Sequence, residues 1–226
     1  MNASVEIFVS TVSDGTMRLV DAMPRQDELQ AIRNRQQFLK KYDIELEQTV
    51  GVHLDYASSN FCRYGTVDQR AGGEGITEKG QNVDALATRQ KNLALFLPLA
   101  DCIGAVLYDP CHEVIMLSHL GRHNLEQNGA QKSVEYLVNE FDTRPGDIEV
   151  WLSPSAGKEN YPLYSFANRS LEEVAIEQMQ IAGVKVELIE PTSVDTTTSS
   201  EYFSHSRSLK NPQAPAGRFA VLAMMK

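Results

Sequence analysis

Apolar residues in this chain gather in short runs separated by polar or glycine-rich turns. The stretch 5–12 is rich in β-branched residues and is broken by Ser13-Asp14-Gly15, so it predicts a strand. Further strands are predicted over 48–53, 83–88, 93–97, 103–108, 114–118, 148–152, 184–189 and 218–224. Asp109-Pro110-Cys111-His112-Glu113 reads as the connection of a hairpin between two of these runs. Helical spacing appears over 27–42, with Leu29, Ile32, Phe38 and Leu39 as the expected buried positions. It appears again over 128–141, with Ala130, Val134, Leu137 and Val138 on one face, and over 171–182, where Gly183 ends the pattern. Residues 63–82 and 192–200 read as loops, and Arg144-Pro145-Gly146-Asp147 as a turn.

No internal repeat and no linker interrupts this order, which predicts one α/β domain over residues 1–226. Composition changes the picture little: 42% of the 226 residues are hydrophobic and 23% charged. The formal net charge of −9 argues against a nucleic-acid partner, which calls for a basic face. No run approaches the roughly 18 apolar residues of a membrane span, and no basic region followed by an apolar core marks a secretory signal. Three cysteines, Cys62, Cys102 and Cys111, are too few for a disulfide framework, so a reduced, cytoplasmic setting is expected.

Chemistry concentrates at the ends of the predicted strands. Cys102 opens one, His119 follows another, and His53 ends an earlier one. One thiolate and two imidazoles can hold a zinc ion with a coordination position left open. The spacing by itself, 48 and 16 intervening residues, matches no compact ligand motif and favours an ordinary buried cysteine with two unrelated histidines. A metal-free alternative pairs Cys102 as nucleophile with His119 as base. Asp101 is either an orienting carboxylate or a turn residue that caps backbone amides. The glycines around 72–75 lack the strand-to-helix context of a phosphate loop, so flexibility is the expected reason for them.

Several fragments, taken in order, resemble the laccase-domain family, also called multicopper polyphenol oxidase proteins. They are Phe8-Val9-Ser10-Thr11, Asn34-Arg35, Val52-His53, Asp84-Ala85-Leu86-Ala87-Thr88, Ala100-Asp101-Cys102, His119-Leu120-Gly121, Phe203-Ser204-His205-Ser206-Arg207 and Gly217-Arg218. Some members of that family are described as purine nucleoside phosphorylases, and bacterial members also as peptidoglycan-editing factors. The chain departs from the pattern in places. Arg122-His123-Asn124 stands where the family has Trp-Arg-Gly, Gly51 and Leu54 flank Val52-His53, and Ser153-Pro154-Ser155-Ala156 replaces a Gly-Pro-Ser-Ile turn.

The resemblance implies an α/β (α+β) fold with mixed β-sheets in a sandwich-like core flanked by helices. It implies zinc held by His53, Cys102 and His119, and phosphorolysis of a purine nucleoside, with adenosine deamination as a further activity. Copper is the weaker expectation, because multicopper oxidation needs many histidines and the chain has five. Phosphate requires cations, for which family position suggests Arg35, Arg207 and Arg218, and proximity to His119 suggests Arg122. His205 is expected to line the pocket. Two other readings stand beside this one: a metal-independent Cys-His hydrolase or deamidase acting on cell-wall precursors, and a ligand-binding member without catalysis.

Overall fold

A computed structural model describes residues 4–19, 23–67, 73–78 and 80–226. Its strands form two mixed sheets. The first takes β1 (Val5–Val9), β2 (Thr49–Gly51), β5 (Ala94–Leu99) and β10 (Phe219–Met225), in the order β1-β10-β5-β2. The second takes β3 (Tyr64–Thr66), β4 (Ala85–Thr88), β6 (Ile103–Asp109), β7 (Val114–Leu120), β8 (Glu149–Leu152) and β9 (Ile189–Pro191), in the order β3-β4-β7-β6-β8-β9. Five helices accompany them among the described residues: α1 (Arg25–Lys40), α2 (Arg122–Leu125), α3 (Gly129–Phe141), α4 (Leu171–Ile181) and α5 (His205–Lys210).

The side-chain alternation of each central strand sorts residues into layers. Along β5, Leu95, Leu97 and Leu99 face the second sheet, while Ala94 and Phe96 face α1 with Phe38 and Leu39. Along β6, Val106 and Tyr108 face the first sheet, while Ile103, Ala105 and Leu107 meet Val134 and Leu137 of α3 and Val174 and Met179 of α4. The result is a helix–sheet–sheet–helix stack. Central strands buried on both faces need apolar residues at successive positions, which is why their runs show little alternation. Each fully buried leucine or valine contributes roughly 1.5–3 kcal/mol.

Helix α1 buries Ala31, Asn34, Arg35, Phe38 and Leu39, an i, i+3, i+4, i+7, i+8 stripe. The buried face is therefore rotated from the expected one: Leu29 is exposed and Ile32 half-buried, and two polar residues take core-facing positions. Helix α4 begins in a capping box, with the Glu173 amide donating to Ser170 Oγ at 3.0 Å and the Ser170 amide donating to Glu173 Oε2 at 2.7 Å.

Three expectations need correction. The predicted strand over 184–189 is mostly a 3-10 turn at Val186–Leu188, and the strand is Ile189–Pro191. Val186 is exposed while Val184 and Ile189 are buried, so the run lacks the two-residue period of a strand. The expected loop over 63–82 contains β3, a short edge strand parallel to β4. Its glycines also serve contact rather than flexibility. A Cβ on Gly75 would fall 2.5 Å from the Gly51 Cα, so the two backbones touch directly, and Gly75 takes a φ of +84°. Ala71 and Gly72 lie outside the described residues. No helix among the described residues is long and apolar enough to cross a membrane.

Candidate active site

The site forms where the β6–β7 hairpin opens. The register pairs Gly104 with His119 and Ile103 with Leu120, so one step further Cys102 comes level with Gly121. A Cβ on Gly121 would lie 2.8 Å from Cys102 Sγ, 3.0 Å from His119 Cε1 and 3.2 Å from His119 Nε2. Sulfur and imidazole thus close around one point, and only glycine leaves room for both. Here the structure brings together two residues that the sequence places on separate strands.

His119 is buried, and neither of its ring nitrogens has a hydrogen-bond partner. A buried polar group left unbonded is costly, so this imidazole is poised for something other than packing. Burial lowers its pKa from the ordinary 6.5 to about 4, with Arg218 adding to the shift and Asp84 opposing it. Burial pushes the Cys102 thiol up to about 12, Asp101 acting in the same direction and Arg218 and Arg122 against it. At neutral pH the pair is therefore a thiol and an uncharged imidazole, with no hydrogen bond to the imidazole that would make it a base for the thiol.

A cavity of about 290 Å3 opens in front of the pair. Phe61, Tyr56 and Tyr161 supply aromatic surface, and Arg122, Arg218, His123 and His205 supply cations and ring nitrogens. The Tyr56 ring meets His119 edge-on, with centroids 6.5 Å apart. His205 is the first residue of α5, a helix absent from the sequence reading. Ser204 caps that helix by accepting from the Arg207 amide at 3.0 Å.

Asp101 lines the same cavity, but its oxygens are occupied. Thr196 Oγ1 donates to Oδ1 at 2.8 Å, the Ser206 amide donates to Oδ2 at 2.7 Å, and the Ala156 amide donates to the backbone carbonyl at 2.8 Å. Asp101 is buried in the left-handed region at φ 75°. The turn-capping reading describes it: it joins the β5–β6 turn to the 155–157 and 196–206 segments.

The three-donor metal set is not assembled. Among the described residues no group of three or more His, Cys, Asp or Glu side chains is arranged to hold a metal ion. His53 follows the first sheet, where the Val52 amide donates to the Phe96 carbonyl and the His53 amide to the Gln81 carbonyl. It lines an adjoining cavity of about 120 Å3 that shares Tyr56 and Arg218 with the first. The donor chemistry still suits zinc: the Cys102 thiol lies beside an unbonded imidazole, and His53 stands in the next cavity.

The arginines divide. Arg18, Arg35 and Arg218 line the adjoining cavity with His53. Arg35 is buried, donates from Nε and Nη2 to the Met17 carbonyl and from Nη1 to the Gly75 carbonyl, and stacks over Phe96 at 5.3 Å. Burial lowers its pKa to about 9. Arg207 lines neither cavity; it donates to the carbonyls of Thr196, Ser199 and Tyr202 and holds that loop in shape. Arg122 lines the first cavity at the start of α2. Tyr56, Phe61 and Tyr161, which sequence reasoning missed, sit in irregular segments whose periodicity carries no signal.

Comparison with known proteins fits this geometry. The family described as multi-copper polyphenol oxidoreductase laccase matches residues 11–173. A protein of Bacteroides thetaiotaomicron named purine nucleoside phosphorylase is 22% identical over 200 residues, covering 83% of this chain and 74% of that one. The purine nucleoside phosphorylase YlmD of Bacillus subtilis is 26% identical over 127 residues, 55% of this chain and 44% of that one. Among solved structures, YlmD from Geobacillus stearothermophilus superposes with a TM-score of 0.85 at 20% identity, covering 99% of this chain and 93% of that one. A hypothetical protein YfiH of Bacillus licheniformis gives the same TM-score and identity, over 98% and 93%.

Proposed function

This chain belongs to the multi-copper polyphenol oxidoreductase laccase family, and from that membership we propose that it is a zinc-dependent purine nucleoside phosphorylase. The observation that carries the reading is the buried His119 ring, unbonded at both nitrogens, beside the Cys102 sulfur at the wall of a cavity with aromatic and cationic lining. The names of the relatives support the substrate class.

Cys102 and His119 would hold the zinc, with His53 as the third ligand. When bound, the metal supplies a Lewis acid. The protein residues do the rest. The aromatic cavity receives the nucleoside, and the adjoining cavity, with Arg18, Arg35 and Arg218, receives phosphate. Arg218 lines both, so we assign it to guiding a phosphate oxygen toward the sugar carbon C1′. In phosphorolysis that oxygen forms the new bond to C1′ as the glycosidic bond breaks, and the electron pair leaves with the base. The departing base then needs a proton, and we assign its delivery to His205. Arg122 offsets negative charge on the same side.

The metal-free hydrolase reading is weakened by the same pair, since a thiol raised to about 12 is a poor nucleophile and the His119 ring makes no hydrogen bond through which to act as its base. The test uses protein purified without added metal. Elemental analysis is expected to find zinc, lost in Cys102→Ser and His119→Ala, and base release from adenosine or inosine is expected to require both phosphate and metal. Activity that survives chelation but not thiol alkylation would overturn the proposal in favour of the hydrolase. Zinc occupancy without phosphorolysis or deamination would overturn it in favour of a binding role.

A further inference from the structure

The segment that departs furthest from the family signature, Arg122-His123-Asn124, builds one wall of the larger cavity. His123 stacks on Phe61 with ring centroids 4.8 Å apart and planes inclined by 21°. The Phe61 backbone is fixed at both ends of its peptide unit. Its amide donates to Gln127 Oε1 at 3.0 Å, and its carbonyl accepts from Asn124 Nδ2 at 2.7 Å. Gln127 Nε2 also donates to the Ser59 carbonyl at 2.8 Å. The short helix that replaces Trp-Arg-Gly, through Asn124, and Gln127 just beyond its end therefore grip the 59–61 segment and set its aromatic ring against the imidazole.

The edges of His123 are turned to protein groups. Arg122 Nη2 lies 3.3 Å from Nε2, and Glu126 Oε2 lies 3.6 Å from Nδ1. What the ring offers to the cavity is its aromatic surface. If the pair served only to close a loop, its rings would be buried. Instead both line the cavity, with Tyr161 as a further aromatic wall, and His123 keeps 46% of its side chain exposed. A platform fixed in advance by three hydrogen bonds loses little freedom when a flat ligand settles on it.

We infer that the Phe61–His123 stack is the platform for the planar base of the nucleoside, and that His123 sets affinity for the base through its ring face rather than by proton transfer. This rests on the phosphorylase reading. Bases stack on any aromatic face, so the platform favours planar heteroaromatic rings as a class and leaves the choice among purines to polar neighbours.

The experiment is calorimetric titration of the metal-loaded protein with adenosine, inosine and ribose 1-phosphate, the last carrying no base. His123→Ala is expected to weaken both nucleosides roughly 5- to 100-fold and to leave ribose 1-phosphate within about twofold. His123→Phe, which keeps a ring and removes the nitrogens, is expected to stay within about threefold of the unaltered protein for all three ligands. His123 is half open to solvent, so both variants are expected to fold, and thermal melts check this. Unchanged nucleoside binding in His123→Ala overturns the platform alone, as does a fall in His123→Phe equal to that in His123→Ala. An unaltered protein that binds none of the three ligands overturns the phosphorylase reading and the platform with it.

Discussion

His112 and His119 sit at opposite ends of β7 and show two uses of one side chain. His112, in the β6–β7 connection, is half-buried, and its Nδ1 lies 2.7 Å from Oδ2 of the buried Asp109. The other oxygen of that carboxylate accepts the amides of Cys111 and His112, at 2.8 and 3.2 Å. This end of the hairpin is a closed set of hydrogen bonds around a tight turn. At the other end His119 is more deeply buried and makes no side-chain hydrogen bond. A fold that satisfies the more exposed histidine and leaves the buried one unbonded fits the proposal that the second serves a ligand. That contrast makes a better guide to chemistry than burial or residue type by itself.

The sharpest way to break the comparison is to remove the unbonded ring. His119→Ala is expected to lower zinc affinity and nucleoside turnover by more than about 100-fold, since losing only a partner that orients a metal ligand costs about 10- to 100-fold. Metal titration and base-release assays check this. An unchanged zinc affinity would remove His119 from the site.

Acid should separate the two histidines next. Burial holds the folded His119 pKa near 4, below the ordinary 6.5. Between those values the unfolded chain binds a proton that the folded chain does not. Stability is therefore fully present above about pH 6.5 and falls as the pH drops toward 4, by on the order of 3 kcal/mol from this residue. Urea denaturation of metal-free protein at pH 7 and 4.5 measures the loss, and His119→Gln is expected to lose less by about that amount. An equal loss in both proteins would assign the acid sensitivity to other groups.

The closed end should respond in stability and not in chemistry. Asp109→Ala leaves two amides and the His112 ring without their acceptor and is expected to cost about 2 kcal/mol, while His112→Ala costs about 1 kcal/mol. Thermal melts read both losses, and turnover by the folded protein is expected to stay unchanged. A large fall in turnover would show that the two ends of the hairpin are coupled.

The central strands were legible in the sequence because burial on both faces writes a continuous apolar run. The 184–189 segment misled because its apolar residues sit on a 3-10 turn, with Val186 pointing outward. Helix α1 was found, but its buried face was not, since Asn34 and Arg35 occupy core positions that a hydrophobic pattern assigns to apolar side chains. Cys102 and His119 were grouped through the family resemblance and not through their spacing, which favoured unrelated residues; the hairpin register is what brings them together. The cavity walls were not legible, because Tyr56, Phe61 and Tyr161 sit in irregular segments, and Phe61 is placed by hydrogen bonds to Asn124 and Gln127, 63 and 66 residues further along the chain. Arg207 shows the limit of position: it holds a loop through three carbonyls and lines neither cavity.

Asp101 gives the rim of the cavity a common anchor. Its side chain and carbonyl engage Thr196, Ser206 and Ala156, so three stretches far apart in sequence, the β5–β6 turn and the 155–157 and 196–206 segments, meet at one residue. They should loosen together, with amide exchange at Ala156 and Ser206 following one opening rate in metal-free protein. The same knot constrains any attempt to retune the site by loop exchange. A graft that replaces one of these stretches and ignores the other two would unseat its neighbours, so the smallest interchangeable unit here is the trio.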